Sequence, residues 1–219
     1  MFKRIESSTK KEWLDIRRKV LTATEIGIIL GLNPWKMPRD IKKNGATEDN
    51  FVENAYTKLG QWLEPVVVQS VNEVLGTSFE LFENKAFYAD FEVGLGATPD
   101  AGDGKMLLEC KTTKTRNWVK YQSLPPLYYV VQLYTQMMCC ERGVGMLAIL
   151  GTDLTQISPK LNLDLAIFSL TRDEEIDMII LREVQRFWEC HAEGKQYRVN
   201  RKQVLGIELK LMCLLDKVV

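Results

Sequence analysis

The chain has 219 residues, 46% of them hydrophobic and 26% charged, a composition that excludes a disordered polymer and suits one domain with a full core. Its 29 basic and 29 acidic residues cancel, which excludes a surface coated in positive charge but not a basic channel for nucleic acid. The five cysteines are an odd set without a C-x-x-C pair, and there is one histidine, so zinc-ligand spacing and a histidine-rich metal site are absent.

The thiols read as reduced. The chain opens without a signal-peptide pattern and no apolar run reaches transmembrane length, so a cytoplasmic protein without a membrane partner is expected.

In chain order, the pattern predicts a helix over Ser7 to Val20, with Ser7-Ser8-Thr9 offering a cap and Trp13, Ile16 and Val20 at helical spacing. A second helix is expected from Thr22 to near Gly31. Asn33 to Asn50 is polar and broken, a loop holding a short helix. From Phe51 to Leu75 the stripe Val52, Ala55, Leu59, Leu63, Val67, Val71 and Leu75 marks a long helix closed by Gly76, with Pro65 expected to kink or divide it. Phe79 to Phe82, Ala86 to Tyr88, Val93 to Ala97 and Met106 to Lys111 read as strands, with Ala101-Gly102-Asp103-Gly104 the clearest turn. Leu127 to Cys140 reads as a helix, Val144 to Leu150 and Leu163 to Leu170 as strands. Thr171-Arg172-Asp173-Glu174 opens an amphipathic helix to about Glu193, and the tail beyond Asn200 is a further helix. This order predicts an α/β fold, a mixed central sheet flanked by helices.

Asp100 ends one strand candidate. Glu109 and Lys111 sit two apart on the next, so they share a face while Cys110 points away. A hairpin can bring Asp100 opposite Glu109. Two carboxylates at one sheet end suit Mg²⁺, to which the Cys110 backbone carbonyl could add a ligand. Lys111 could deprotonate or orient an attacking water and stabilise charge on phosphate. The same pattern also describes a solvated hairpin edge, but Leu107 and Leu108 make the strand apolar, and charges ending a buried strand need a partner or a metal. A capping box at Thr22 and Glu25 is also legible. Two basic clusters could meet a DNA backbone: Lys36, Arg39, Lys42 and Lys43 with Trp35, and Lys111, Lys114, Arg116 and Lys120 with Trp118 and Tyr121, whose aromatic residues could stack on frayed bases. His191 reads as packing or surface.

Five segments in order resemble the phage lambda exonuclease and YqaJ-type recombinases of the PD-(D/E)xK nucleases: Trp13 to Arg17 with Leu21 to Ile26, Gly60 to Pro65, Thr98-Pro99-Asp100, Leu108 to Lys111, and Tyr129 to Gln132. Tyr134 stands where the family's second helix Gln falls, a Gln appearing only at Gln136. Thr98, Ala101 and Thr24 replace Ser, Gly and Ser.

The resemblance implies a restriction-endonuclease-like core in one nuclease domain over 1–219, with a helical part to about 76, a sheet core over about 77–171 and C-terminal helices. It implies Asp100 and Glu109 as metal ligands, Glu64 supporting a second ion or a water, Lys111 handling the water, and Gln132 beside Lys111 or the nucleotide. Arg17, Thr22 and Thr24 would bind the terminal phosphate, Trp13 would line the DNA channel, and Lys114 and Arg116 would meet the backbone.

The activity implied is a Mg²⁺-dependent 5′→3′ exonuclease on double-stranded DNA ends, with Mn²⁺ able to substitute and two ions expected. A ring trimer and a single-strand annealing protein as partner come with it. An endonuclease, or a DNA-end-binding scaffold with little catalysis, are the alternatives. An iron–sulfur nuclease is disfavoured because no tight cysteine trio exists.

Overall fold

The computed structural model describes residues 1–7, 9–41, 55–82, 86–152 and 164–219. Ser8, Lys42, Lys43, the first four residues of the expected Phe51 helix and Leu163 lie outside the described residues. The elements run β1 (Lys3–Ile5), α1 (Lys10–Arg18), β2 (Leu21–Thr22), α2 (Ala23–Ile29), a 3-10 turn (Pro38–Asp40), α3 (Ala55–Leu75), β3 (Glu80–Leu81), β4 (Phe87–Asp90), β5 (Leu95–Ala97), β6 (Ala101–Gly102) and β7 (Met106–Thr113). They continue with α4 (Thr115–Tyr121), α5 (Leu127–Cys139), β8 (Val144–Gly151), β9 (Leu165–Thr171), α6 (Glu174–Ala192), α7 (Arg201–Cys213) and β10 (Leu215–Lys217).

The larger sheet has the order β10-β9-β8-β7-β6-β3, and only its β7–β8 pair is parallel. A parallel pair needs a crossover, and α4 and α5 supply it. The alternation of β7 assigns its two leucines to opposite faces. Leu108 and Cys110 join Leu63, Val67 and Val71 of α3, whereas Leu107 faces Leu133 and Met137 of α5 with residues of α2, α6 and α7. This is the expected mixed sheet between helical layers.

In the smaller sheet, β1-β4-β5-β2, the strands β4 and β5 were expected, whereas β1 and β2 are too short to show a period of two. Its last pair is parallel, Thr22 opposite Gly96. The turn into β5 is built by Asp90, whose Oδ1 accepts from Glu92 N (2.9 Å) and Val93 N (3.1 Å). Gly94 follows at φ 75°, and its carbonyl accepts from Leu21 N (2.8 Å) and from the Trp188 indole (2.9 Å).

Several boundaries differ from expectation for local reasons. The first helix starts at Lys10, where Thr9 Oγ1 accepts from Glu12 N at 3.1 Å. Thr22 is the N-cap of α2 and also pairs in β2. Pro65 does not divide α3; it lies on the exposed face, where water can serve the carbonyl left without a partner. Ala101 and Gly102 are not turn residues but the strand β6, paired with β3 and β7, so the turn tightens to Asp103 to Lys105. There Asp103 Oδ1 accepts from Lys105 N (2.9 Å) and Met106 N (2.7 Å). The unexpected helix α4 covers the second basic cluster and buries Trp118. Among the described residues no helix is long and apolar enough to cross a membrane.

Candidate active site

The pairing of β6 with β7 sets Ala101 opposite Leu108, so the register continued by one residue sets Asp100 opposite Glu109. Asp100 Oδ2 accepts the Cys110 backbone N–H at 2.9 Å, which fixes the carboxylate against β7. Glu109 is only 1% exposed. A carboxylate so enclosed needs donors, and it has three. Lys111 Nζ and Gln132 Nε2 donate to Oε1, the latter at 2.5 Å, and Gln136 Nε2 donates to Oε2 at 2.6 Å. Lys111 Nζ also lies 5.2 Å from the centroid of the Tyr129 ring.

The electrostatics follow from this crowding. Burial and then the charge of Glu109 push the Asp100 carboxyl well above the usual range, and Glu64 adds to the shift; Lys111 and the Cys110 N–H oppose it. Burial disfavours the Lys111 charge, but Glu109 and Asp100 more than offset that, and its pKa rises. Burial, with Asp100, Glu109 and Glu64, likewise raises the Cys110 thiol, which faces the α3 core as the alternation required.

Asp100, Glu109, Lys111 and Gln132 are therefore together, and Glu64 is near enough for its charge to be felt at Asp100. Among the described residues no three His, Cys, Asp or Glu side chains converge enough to hold a metal by themselves.

Gln136 is the contributor that sequence reasoning undervalued. It is 1% exposed and also donates to the Thr98 carbonyl at 3.1 Å. The usable signal was spacing: residues four apart share a helix face, so 136 aligns with 132 and 134 does not. Tyr134 turns the other way. Its hydroxyl accepts from Asp173 N and contacts Asp177 Oδ1, both at 2.8 Å, tying α5 to α6.

A second group forms beside this one. Thr22 N and Oγ1 donate to Glu25 Oε2 at 2.7 and 2.9 Å, the expected capping box. Burial lowers the Arg17 pKa while Glu25 raises it, so the guanidinium sits near that carboxylate. It stacks over the Trp13 ring at 4.2 Å. Trp13 packs against the core of Val20, Phe87 and Ala89. Thr24 is exposed on the first turn of α2. Because β2 lies beside β5, and β5 leads to Asp100, this group is one strand from the carboxylates.

Of the basic clusters, Lys36, Arg39, Arg116 and Lys120 are exposed and Lys114 is half-buried at the N-cap of α4. Trp118 cannot stack on a base as expected: it is 7% exposed and packs against Gly151. His191 lies at the surface, its ring stacked on Phe187. All five cysteines are free.

Residues 12–143 match the family model described as the YqaJ-like viral recombinase domain. The chain is 27% identical over 194 residues to the uncharacterized protein YqaJ of Bacillus subtilis (strain 168), covering 86% of this chain and 58% of that protein. The chain thus spans less than two thirds of that relative's length.

Among solved structures, the alkaline exonuclease LHK-Exo of Laribacter hongkongensis superposes with a TM-score of 0.64 at 19% identity, covering 94% of this chain and 100% of that one. Its complex with dAMP gives 0.59 at 20% identity, with the same coverage. A phage related exonuclease from Haemophilus somnus 129PT gives 0.57 at 15%, covering 80% of this chain and 96% of that one. At such identities these likenesses establish the fold alone, a mixed α/β architecture. With the family model spanning more than half of its length, the chain belongs to the YqaJ-like viral recombinase domain family.

Proposed function

We propose that this protein is a divalent-cation-dependent deoxyribonuclease that digests double-stranded DNA from its ends. The observation that carries the reading is the enclosed Glu109 carboxylate, opposite Asp100 and bonded to Lys111, in the middle of β7. The donor set fits a hard cation. Burial first, and then the charges of Glu109 and Glu64, raise the Asp100 pKa, and a cation would relieve that repulsion. Mg²⁺ needs only one or two protein carboxylates and keeps its other positions for water and substrate phosphate; Mn²⁺ can substitute.

In this reading Asp100, Glu109 and the Cys110 carbonyl hold an ion, and Glu64 supports a second ion or a bound water. Bound there, the metal supplies an activated water and neutralises phosphate charge. Lys111, whose ammonium form Glu109 and Asp100 favour, orients the water and stabilises charge on the phosphate. Gln132 and Gln136 keep Glu109 aimed. Arg17, Thr22 and Thr24 receive the terminal phosphate, Trp13 supports Arg17, and Lys114 and Arg116 meet the DNA backbone.

The finer reading is a 5′→3′ exonuclease of phage-type homologous recombination. It would leave 3′ single-stranded overhangs for an annealing protein, as one nuclease domain in a ring trimer in the cytoplasm. The test is digestion of a 5′-labelled, 5′-phosphorylated linear duplex beside closed circular DNA, with Mg²⁺, Mn²⁺ or chelator. Mononucleotides should appear from the linear substrate only, with either metal, and vanish with Glu109→Ala or Lys111→Ala. Cutting of the circle would make the enzyme an endonuclease. Tight end binding without hydrolysis in any divalent metal would make it a scaffold.

A further inference from the structure

Trp35 is 80% exposed, yet it is held in place. Asn33 Oδ1 accepts from the backbone N–H groups of Trp35 (2.8 Å) and Lys36 (3.0 Å), a side-chain turn that fixes the chain beneath the indole. The Trp35 side chain lies near the Tyr128 hydroxyl, as do the hydroxyls of Tyr121 and Tyr129.

The Tyr128 and Tyr129 ring centroids are 4.5 Å apart, those of Tyr121 and Tyr129 6.4 Å. Tyr129 in turn carries the Lys111 ammonium over its ring at 5.2 Å. A tyrosine cluster thus lies between exposed Trp35 and the lysine bonded to Glu109.

Core packing does not explain Trp35. It lies near Tyr128 while most of its surface stays in water, an apolar area that folding left uncovered. Lys36 and Arg39, both exposed, flank it. An aromatic face between exposed cations is the combination that single-stranded nucleic acid takes, phosphates on the cations and a base on the ring.

We infer that Trp35 is a stacking platform for an unpaired nucleobase of the DNA strand that enters the site, an inference that rests on the nuclease reading for the identity of that strand. The base is unpaired because one inside a duplex already has both faces covered. The favoured substrate is therefore a duplex whose end is frayed or carries a short single-stranded tail.

The experiment measures equilibrium binding of a tailed duplex in Ca²⁺ by the full-length protein, as wild type, Trp35→Ala, Trp35→Phe and Tyr128→Phe. The tail carries 2-aminopurine or an abasic site at each position in turn. Trp35→Ala should bind about tenfold more weakly, with an unchanged salt slope, and Trp35→Phe should recover part of the loss. One 2-aminopurine position should be quenched by wild type and not by Trp35→Ala, and Tyr128→Phe should weaken the quenching. An abasic site at that position should erase the difference between wild type and Trp35→Ala.

Equal binding by wild type and Trp35→Ala, or a loss that persists with the abasic strand, overturns the inference. Failure of the nuclease reading registers separately, as absence of hydrolysis in Mg²⁺ by a protein whose Trp35-dependent quenching is intact.

Discussion

Gln136 Nε2 donates to Glu109 Oε2 across 2.6 Å, one helical turn beyond the Gln132 amide that donates to the other oxygen. Two amides on one face of α5 therefore aim a strand carboxylate that has almost no contact with solvent. Gln136→Ala would leave a buried carboxylate oxygen without its donor, which costs about 1–3 kcal/mol. In a chain of this size that lowers the melting temperature by about 2–4 °C per kcal/mol. In the proposed function, where Glu109 holds the metal, loss of a partner that orients it should also reduce Mg²⁺-dependent activity about 10- to 100-fold. Thermal unfolding and an Mg²⁺ titration of nuclease rate check both effects. Gln136→Glu should be worse than Ala on both counts, because it sets a second carboxylate against the first. A Glu variant as active as wild type would show that Gln136 does not hold Glu109 in solution.

Arg17 gives a second prediction. Its guanidinium lies over Trp13 and near Glu25, where an incoming phosphate would meet a positioned charge. In the proposed function, Arg17→Ala should erase about 10- to 100-fold of the preference for 5′-phosphorylated over 5′-hydroxyl ends, the range of one hydrogen bond to a charged group. Arg17→Lys should recover only part, since an ammonium lacks the planar fork. The measurement is the ratio of initial rates on the two ends. A ratio untouched by Arg17→Ala moves the phosphate site elsewhere.

How much of this was legible before folding depended on period and length. The alternation in Leu107 to Lys111 sent Glu109 and Lys111 to one face and Cys110 to the other, and the family resemblance set Gln132 beside Lys111, where both donate to Glu109. Strands of two or three residues, such as Leu21–Thr22 and Leu215–Lys217, carry no period, and tertiary pairing alone makes them strands. Ala101-Gly102 has turn chemistry, yet β3 and β7 on either side recruit it as a strand. The helix Thr115–Tyr121 escaped notice because one buried residue, Trp118, makes no stripe. Gln136 was left without a role because the family motif sets its second amide at 134, whereas the helical face shared with Gln132 falls at 136.

The cysteines give a third prediction. Burial raises the thiols of Cys110 and Cys139 well above the ordinary value, and pushes Cys140 up to about 12 against a lowering by Arg142. A raised thiol pKa keeps sulfur protonated through mildly alkaline pH, and the protonated thiol is a poor nucleophile. Iodoacetamide at pH 8 should therefore modify the exposed Cys213 well before these three, and all five should react in denaturant. Peptide mass spectrometry over time reads the order. Native-state labelling of Cys140 as fast as Cys213 would contradict the packing around it.

Gly94 gives the fourth. Its φ is 75°, and an added Cβ would collide with the Trp188 indole that donates to its carbonyl. Gly94→Ala should destabilise through both backbone strain and overpacking, about 1–3 kcal/mol from each. In a Trp188→Phe background the overpacking share should shrink, and urea unfolding of the four proteins in that cycle isolates the coupling. Strict additivity would mean that the indole does not press on this turn.

Thr98, Asp100, Glu109, Lys111, Gln132 and Gln136 all come from one uninterrupted stretch of chain, folded as a hairpin, a strand and the crossover back to its parallel neighbour. The anionic cluster and the amides that restrain it are therefore inherited and assembled together. Remote insertions that reshape the approach to the cluster leave its internal wiring intact. A change in a distant loop can thus alter the surroundings of Asp100 and Glu109 without touching the bonds that hold them.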